Sequence, residues 1–406
     1  ELSNFELGEQ VGKQALALAH ALGDQTAEAR LQWNMLNVYR MTNRDEQALQ
    51  AGKRAIALGE ALGLQEVTAY ATNDIVYTYM ALGDVAQVLA VGEKAIALWR
   101  ALGNQPMLTD SLINYANTQA MSGEFDLALE IAAEALAISQ SLNNRWAESF
   151  SLYTYSMVYW RTMVVAKALA ATPQSVALGA QTGFTGAQVL VRVFQVQMLL
   201  AMGDGAEAAK VAETAVSVAK DSIPLFLPAA QGAAALVSLH HNDLSQAESI
   251  ISGNGFHSLA PNLMNFFTPE TAVCLYLLAT EKYDTAFATS RRVSAYRHAQ
   301  NLRMYLPEFL YFQGAALAGL NRNLEARQAL YQGLEVLRQT NGRLWFAEIV
   351  SMLIELEEAE GDETAVARLH QEARATLQEM IQLIPDGELH DLFLSQPMIK
   401  SLSPVS

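Results

Sequence analysis

The sequence predicts an all-α protein built as a row of antiparallel helix hairpins. Three observations carry this. Near-copies recur at a step of 40 residues: "ALALAHALGD" from Ala15, "AIALGEALGL" from Ala55, "AIALWRALGN" from Ala95 and "ALAISQSLNN" from Ala135. Within each period, apolar residues return at three- and four-residue steps, the spacing of one helix face. One slot holds Ala48, Val88, Ala128, Ala168, Ala208, Ala247, Ala286, Ala326 and Ala365. A small side chain returning at fixed intervals marks helices that cross too closely for a larger one.

The elements follow in order. Ala15–Leu22 aligns with the second half of the period, so the chain is expected to begin within a second helix whose first-helix partner lies outside it. A second set of landmarks then marks the hairpin turns: "MTNRDEQALQ" from Met41, "ALGDVAQVLA" from Ala81, "MSGEFDLALE" from Met121 and "RTMVVAKALA" from Arg161. Between Gln65 and Leu102, one face runs through Val67, Tyr70, Ile75 and Tyr79, and a second through Val85, Val88, Ile96 and Leu98. Leu82-Gly83-Asp84 separates the two. Glycine ends a helix by taking a left-handed conformation, and aspartate caps the next through its carboxylate. Gly83, Gly123 and Gly203 share this slot, with Asn43 and Met163 filling its other places.

Regular repeats are thus expected over 1–220. Prolines at 224 and 228 and the unpatterned "ISGNGFHSLAPNLMNFFTPE" make 221–270 an irregular junction, with a short second helix. Repeats resume over 271–384. Beyond Pro385 the pattern breaks, and 385–406 is expected to cap the last hairpin. A second column, from Leu36 through Val76, Ala116, Ser156, Val196, Ala235 and Cys274 to Gly314 and Leu353, leans small. Cys274 reads there as a buried core residue.

Composition narrows function. The chain has 406 residues, 51% hydrophobic and 17% charged, which is the balance of a folded protein. Its net charge is −16 and it has no run of Lys/Arg longer than a pair such as Arg291-Arg292, so neither nucleic acid nor an anionic membrane is an expected partner. One cysteine, with no signal peptide and no membrane-spanning run, points to a reducing, cytoplasmic setting. No P-loop, H-E-x-x-H or complete dinucleotide loop occurs, so no enzyme, metal or cofactor is expected. The acidic run Glu355–Glu360 reads as a solvated helix face.

The chain resembles the tetratricopeptide repeat family. "WNMLNVYRMTNRDEQAL" from Trp33 and "DSLINYANTQAMSGEFDLAL" from Asp110 carry the pattern, with Asn114, Tyr115, Ala116, Gly123, Phe125 and Ala128 in the second. The period is 39 or 40 against the usual ~34, which adds about a turn of helix per repeat. The resemblance implies a right-handed superhelical solenoid of hairpins. It also implies that first helices line a concave groove.

By the family's pattern, that groove takes Arg30, Trp33, Asn37 and Arg40 from one repeat. Tyr70, Asn73 and Tyr77 follow from the next, then Asp110 and Asn117, then Tyr153 and Trp160. Asn34, Asp74 and Asn114 fill the adjacent slot. Mixed aromatics and amides suit a polar ligand or peptide. Later repeats place Leu190, Val193, Leu200, Leu236, Leu239, Leu275 and Leu278 in the same slots. That wall is either a groove for an amphipathic helix or a surface the superhelix closes over.

The expected role is a non-catalytic binding or sensor module. The junctions and C-terminal end resemble the sensor arms of multidomain bacterial signalling ATPases and of maltose-activator-like transcriptional regulators. That resemblance implies an N-terminal ATPase switch in the parent chain. The ligand would be a protein or peptide, or a small-molecule inducer. The alternative is a constitutive adaptor for an extended peptide or amphipathic helix.

Overall fold

The computed structural model describes residues 2–183, 185–222, 224–258 and 268–402. Among the described residues the regular elements are all helical, and they run as consecutive hairpins. They gather into two compact units. Unit 1 comprises Glu1–Thr118 with Ile131–Asn143; unit 2 comprises Gln119–Glu130 with Asn144–Ser406.

Unit 1 contains α1 (Leu2–Leu22), α2 (Gln25–Met41), α3 (Asp45–Leu62), α4 (Gln65–Leu82) and α5 (Val85–Leu102). It also holds most of α6 (Gln105–Met121) and the later half of α7 (Phe125–Ser141). Helix α2 packs on both α3 and α4, and α4 on α5, so each hairpin covers its neighbour's apolar face. Its core joins Met35, Leu36, Ala48, Ile75, Val76, Tyr79 and Val88.

Turn chemistry sets the period. Asn43, Gly83, Gly123, Met163, Gly203, Asn242, Glu281, Asn321 and Gly361 all take positive φ, from 55° at Asn43 to 88° at Gly203. The left-handed residue stops one helix, and the next is often capped by a side chain. Asp24, Asp84, Asn144, Asp243 and Asp362 each accept a backbone N–H three residues on. Each such cap contributes about 1 kcal/mol.

The alanine column is buried at every position, as is the mixed column that includes Cys274. Burial pushes the Cys274 thiol far up, which keeps it protonated and inert.

Unit 2 opens with the first part of α7 and continues with α8 (Arg145–Arg161), α9 (Val165–Thr182), α10 (Thr185–Met202) and α11 (Gly205–Ser222). Pro224 then starts a 3₁₀ turn, and Pro228 lies in the first turn of α12 (Leu227–His240), where a missing N–H costs nothing. Helix α13 (Leu244–Gly253) has only 10 residues, in line with the short second helix expected in the junction. Ile223 and residues 259–267 of that junction, with Pro261, lie outside the described residues.

The later hairpins pair α14 (Thr268–Ala279) with α15 (Tyr283–Ala299), α16 (Leu306–Gly319) with α17 (Asn323–Thr340), and α18 (Phe346–Glu360) with α19 (Glu363–Gln382). Helices α12 and α14 approach closely at Gly232. A Cβ there would stand 2.6 Å from the backbone nitrogen of Pro269, so only glycine fits. The end of the chain forms α20 (Glu388–Ser395), which packs on α10, and α21 (Pro397–Leu402), which packs on α18 and α19.

The acidic run of α18 departs from its expected role. Glu355, Glu358 and Glu360 are exposed, but Glu357 is buried. It pairs with Arg327 at 3.0 Å and accepts the Tyr331 hydroxyl at 2.9 Å. Helical spacing turns this one carboxylate toward α17, where a guanidinium offsets its desolvation.

Candidate binding site

In unit 1 the expected groove residues bond to one another. Trp33 Nε1 and Asn37 Nδ2 donate to the Asp74 carboxylate at 2.7 and 2.8 Å, linking α2 to α4. Arg40 donates to Asn37 and lies over the Tyr77 ring. One repeat on, Tyr77 and Asn73 donate to Asp110, while Asn114 donates to the Tyr77 hydroxyl at 2.9 Å. Ser111 closes the set on Asn73 Oδ1. Burial pushes the Asp110 carboxyl up, and the hydrogen bonds from Asn73 and Tyr77 pull it back.

The surface of this ladder varies. Arg30 and Asn34 are exposed, and Trp33 and Tyr70 are half-buried and stacked, with ring centroids 4.9 Å apart. Asn73, Asn114 and Asn117 are buried. Tyr153 and Trp160 belong to unit 2 and are also buried. Trp160 donates to Gln197 at 3.2 Å, so it braces a side chain of the cavity described next.

Unit 2 closes on itself. The carbonyl of Arg161, at the end of α8, accepts the backbone N–H groups of Arg343 and Leu344 at 2.9 and 3.3 Å. The Arg161 side chain reaches Glu308, at the start of α16, at 3.2 Å. Gln396 donates to the carbonyl of Ala201 at 2.9 Å. The apolar wall of the later repeats is thus folded over and leaves a cavity of about 310 Å³.

Leu200, Leu236, Leu239 and Leu275 supply the apolar walls from three successive first helices, α10, α12 and α14. His240, Asn242 and Ala279, all exposed, mark the open end; buried Thr271 and Glu308 mark the floor. Leu344, Trp345 and Glu348 complete the lining.

The floor is a network of buried charge. Glu308 accepts Arg161 and Trp345 on one oxygen and Arg297 and Thr271 on the other, at 3.1 to 3.3 Å. Four donors fill the acceptor capacity of a carboxylate. Arg297 is fully buried over the Phe309 ring, and that burial pushes it down to about 10 while Glu308 opposes the fall. Glu270 lies beside them with neither oxygen hydrogen-bonded; burial pushes its carboxyl up to about 7 despite Arg297 nearby.

Two wall residues are unusual. Trp345 takes a φ of 71°, rare for a bulky residue, and is held by its bond to Glu308 and its stack on Tyr311 at 5.4 Å. Glu348 is enclosed by protein mass but keeps part of its surface toward the cavity. Burial raises its carboxyl, and no ion-pair partner faces it among the described residues.

Glu308, Glu348, Arg161, Arg297 and Trp345 escape the sequence reading. The available signal is a lone charge in an apolar helix: Glu308 in "MYLPEFLYF" and Glu270 in "TPETAVCLYLLA". Among the described residues, no cluster of His, Cys, Asp and Glu could hold a metal, and no helix is long and apolar enough to cross a membrane.

Residues 67–141 match the sequence profile of the tetratricopeptide repeat. A sequence search of curated proteins found no match. Among solved structures, a Rap protein complexed with competence and sporulation factor is similar, with a TM-score of 0.56 and 14% identity. That similarity covers 88% of this chain and 99% of the Rap chain.

A signal transduction ATPase with numerous domains and a tetratricopeptide repeat sensor, from Pyrococcus horikoshii, aligns with a TM-score of 0.45 and 12% identity. There 87% of this chain covers 54% of the other. The profile match and the similarity to the Rap protein show a tetratricopeptide-type helical array. Stacked hairpins of this kind create extended concave binding surfaces.

Proposed function

We propose that this chain is a non-catalytic sensor module that holds its ligand in the unit 2 cavity. One observation carries the reading: an apolar cavity of about 310 Å³, walled by successive first helices and floored by a carboxylate, Glu308, that takes four donors. Its volume falls at the small end of ordinary ligand sites. Apolar walls supply affinity and a few fixed polar groups supply orientation. A solved array of similar fold, the Rap protein, is complexed with competence and sporulation factor, which supports a signalling role.

Because the walls come from α10, α12, α14, α16 and α18, a bound ligand touches five repeats at once. Ligand contacts that differ between two packings of these repeats convert occupancy into a change of state. In the parent protein we place this arm after a bacterial signalling ATPase switch, on the resemblance of its junctions and C-terminal end. Sequencing the parent gene upstream of Glu1 tests that placement.

A second reading rests on unit 1. The half-exposed Trp33–Tyr70 stack, with Arg30 and Asn34 exposed beside it, offers an aromatic and polar surface for an extended peptide, as an adaptor requires. Asn37, Arg40, Asn73, Asp74, Tyr77, Asp110, Asn114 and Asn117 then hold that surface in shape.

The experiment that separates the readings is a thermal-shift screen of small molecules and short peptides, repeated on Leu275→Trp and on Trp33→Ala. Cavity ligands raise the melting temperature of the parent and of Trp33→Ala but not of Leu275→Trp. Ligands that depend on Trp33 and ignore Leu275→Trp would overturn the cavity reading.

A further inference from the structure

The cavity has one charged group that the protein does not answer. Its lining contains two carboxylates and no lysine or arginine. Glu308 is saturated by Arg161, Arg297, Trp345 and Thr271. Glu348 is not: it stands on the first turn of α18, faces the cavity, and has no ion-pair partner among the described residues. Three residues earlier, Trp345 also lines the cavity, so an indole ring borders the same space. A carboxylate beside an aromatic face, at one side of an otherwise leucine-lined space, is complementary to a cation with an apolar body.

From this geometry we infer that the cavity selects ligands with an apolar body and a primary ammonium group, the ammonium pairing with Glu348 beside Trp345. The inference rests on the cavity being the binding site, and it adds the chemical class of the ligand. The body occupies the space bounded by Leu200, Leu236, Leu239 and Leu275. An anionic ligand is disfavoured, since both lining carboxylates oppose it and the Arg161 and Arg297 guanidiniums pair with Glu308 and do not line the cavity. Burial now raises the Glu348 carboxyl, and a bound ammonium would relieve that desolvation by pairing. Two sources share this chemistry: a free alkylamine, and the amino terminus of a short apolar peptide.

The test is calorimetry and Trp345-sensitive fluorescence on the full chain with matched probes. The small-molecule arm uses hexylamine, 1-hexanol and hexanoate. The peptide arm uses trileucine amide with a free and with an acetylated amino terminus. In at least one arm, the ammonium form should bind about 10-fold or more tighter than its neutral partner, the size of a charge-assisted hydrogen bond. Hexanoate should bind most weakly.

Glu348→Gln should erase the preference for ammonium, lowering the affinity of the ammonium form far more than that of the neutral probe. Glu348→Asp should retain part of the preference. Circular dichroism and the neutral probe's affinity certify that each variant is folded. If hexanol and the acetylated peptide each bind as tightly as their ammonium forms, or if Glu348→Gln keeps the preference, the ammonium inference is overturned and the cavity stands as a site. If no probe in either arm binds, both the inference and the cavity reading fail.

Discussion

Units 1 and 2 are made of the same hairpin and use their polar side chains in opposite ways. In unit 1 the polar residues of first helices bond to the next repeat, over sequence separations of 33 to 41 residues. The ladder is local and finished. In unit 2 the corresponding slots are mostly leucine, and the polar work is done by a few buried charges that join distant repeats. Arg161 and Glu308 are 147 residues apart. The contrast teaches that a repeat array can settle its inner face either rung by rung or by folding the row over itself. The second route walls the cavity of unit 2.

Four substitutions test this contrast, from the largest expected effect to the smallest. Arg161→Met leaves Glu308 buried with half its ionic partners gone. Breaking a buried pair in this way costs about 3 kcal/mol or more. Urea denaturation should show a lower midpoint, and a midpoint unchanged from the parent would mean the closure is not held by that pair. Ala128→Leu overfills a crossing where the alanine has no exposed surface, and should cost about 1–3 kcal/mol in the same assay.

Glu270→Gln separates charge from shape. Between its ordinary value of 4.5 and about 7, the folded chain holds a proton on Glu270 that the unfolded chain has lost. The contribution of this group to stability is therefore full below pH 4.5 and falls as pH rises through about 7. The variant should gain in melting temperature over the parent at pH 8 and gain less at pH 5. Equal differences at both pH values would mean that Glu270 titrates as if exposed. Trp33→Phe removes one rung of the unit 1 ladder. It should cost only about 0.5–1.5 kcal/mol, because the bond to Asp74 is half-exposed and Asn37 still satisfies that carboxylate.

Much of this fold is legible from sequence for physical reasons. A left-handed turn demands glycine or asparagine, and a close crossing demands alanine, so Gly83, Asn43 and Ala128 announce themselves. Met163 does not, yet it takes the same conformation because its repeat leaves it no other. The local ladder of unit 1 is also readable, since Trp33, Asp74 and Asp110 stand at matching places in successive periods.

The cavity is not. Its walls, Leu200, Leu236, Leu239 and Leu275, are visible as an apolar stripe, but periodicity cannot say whether a stripe faces a partner or another part of the chain. The charges that close it, Arg161, Arg297 and Glu308, come from different periods and have no shared spacing. Glu357 fails for a related reason: a run of acids reads as solvated until α17 supplies Arg327.

Unit 2 is closed between the end of α8 and the turn before α18. Amide hydrogen exchange followed by mass spectrometry over residues 341–346 tests it most directly. The N–H groups of Arg343 and Leu344 donate to the Arg161 carbonyl, so this turn should exchange far more slowly than the turn at Gly361, and Arg161→Met should speed it. Exchange at the rate of an open turn in the parent chain would contradict the closure, and with it the cavity.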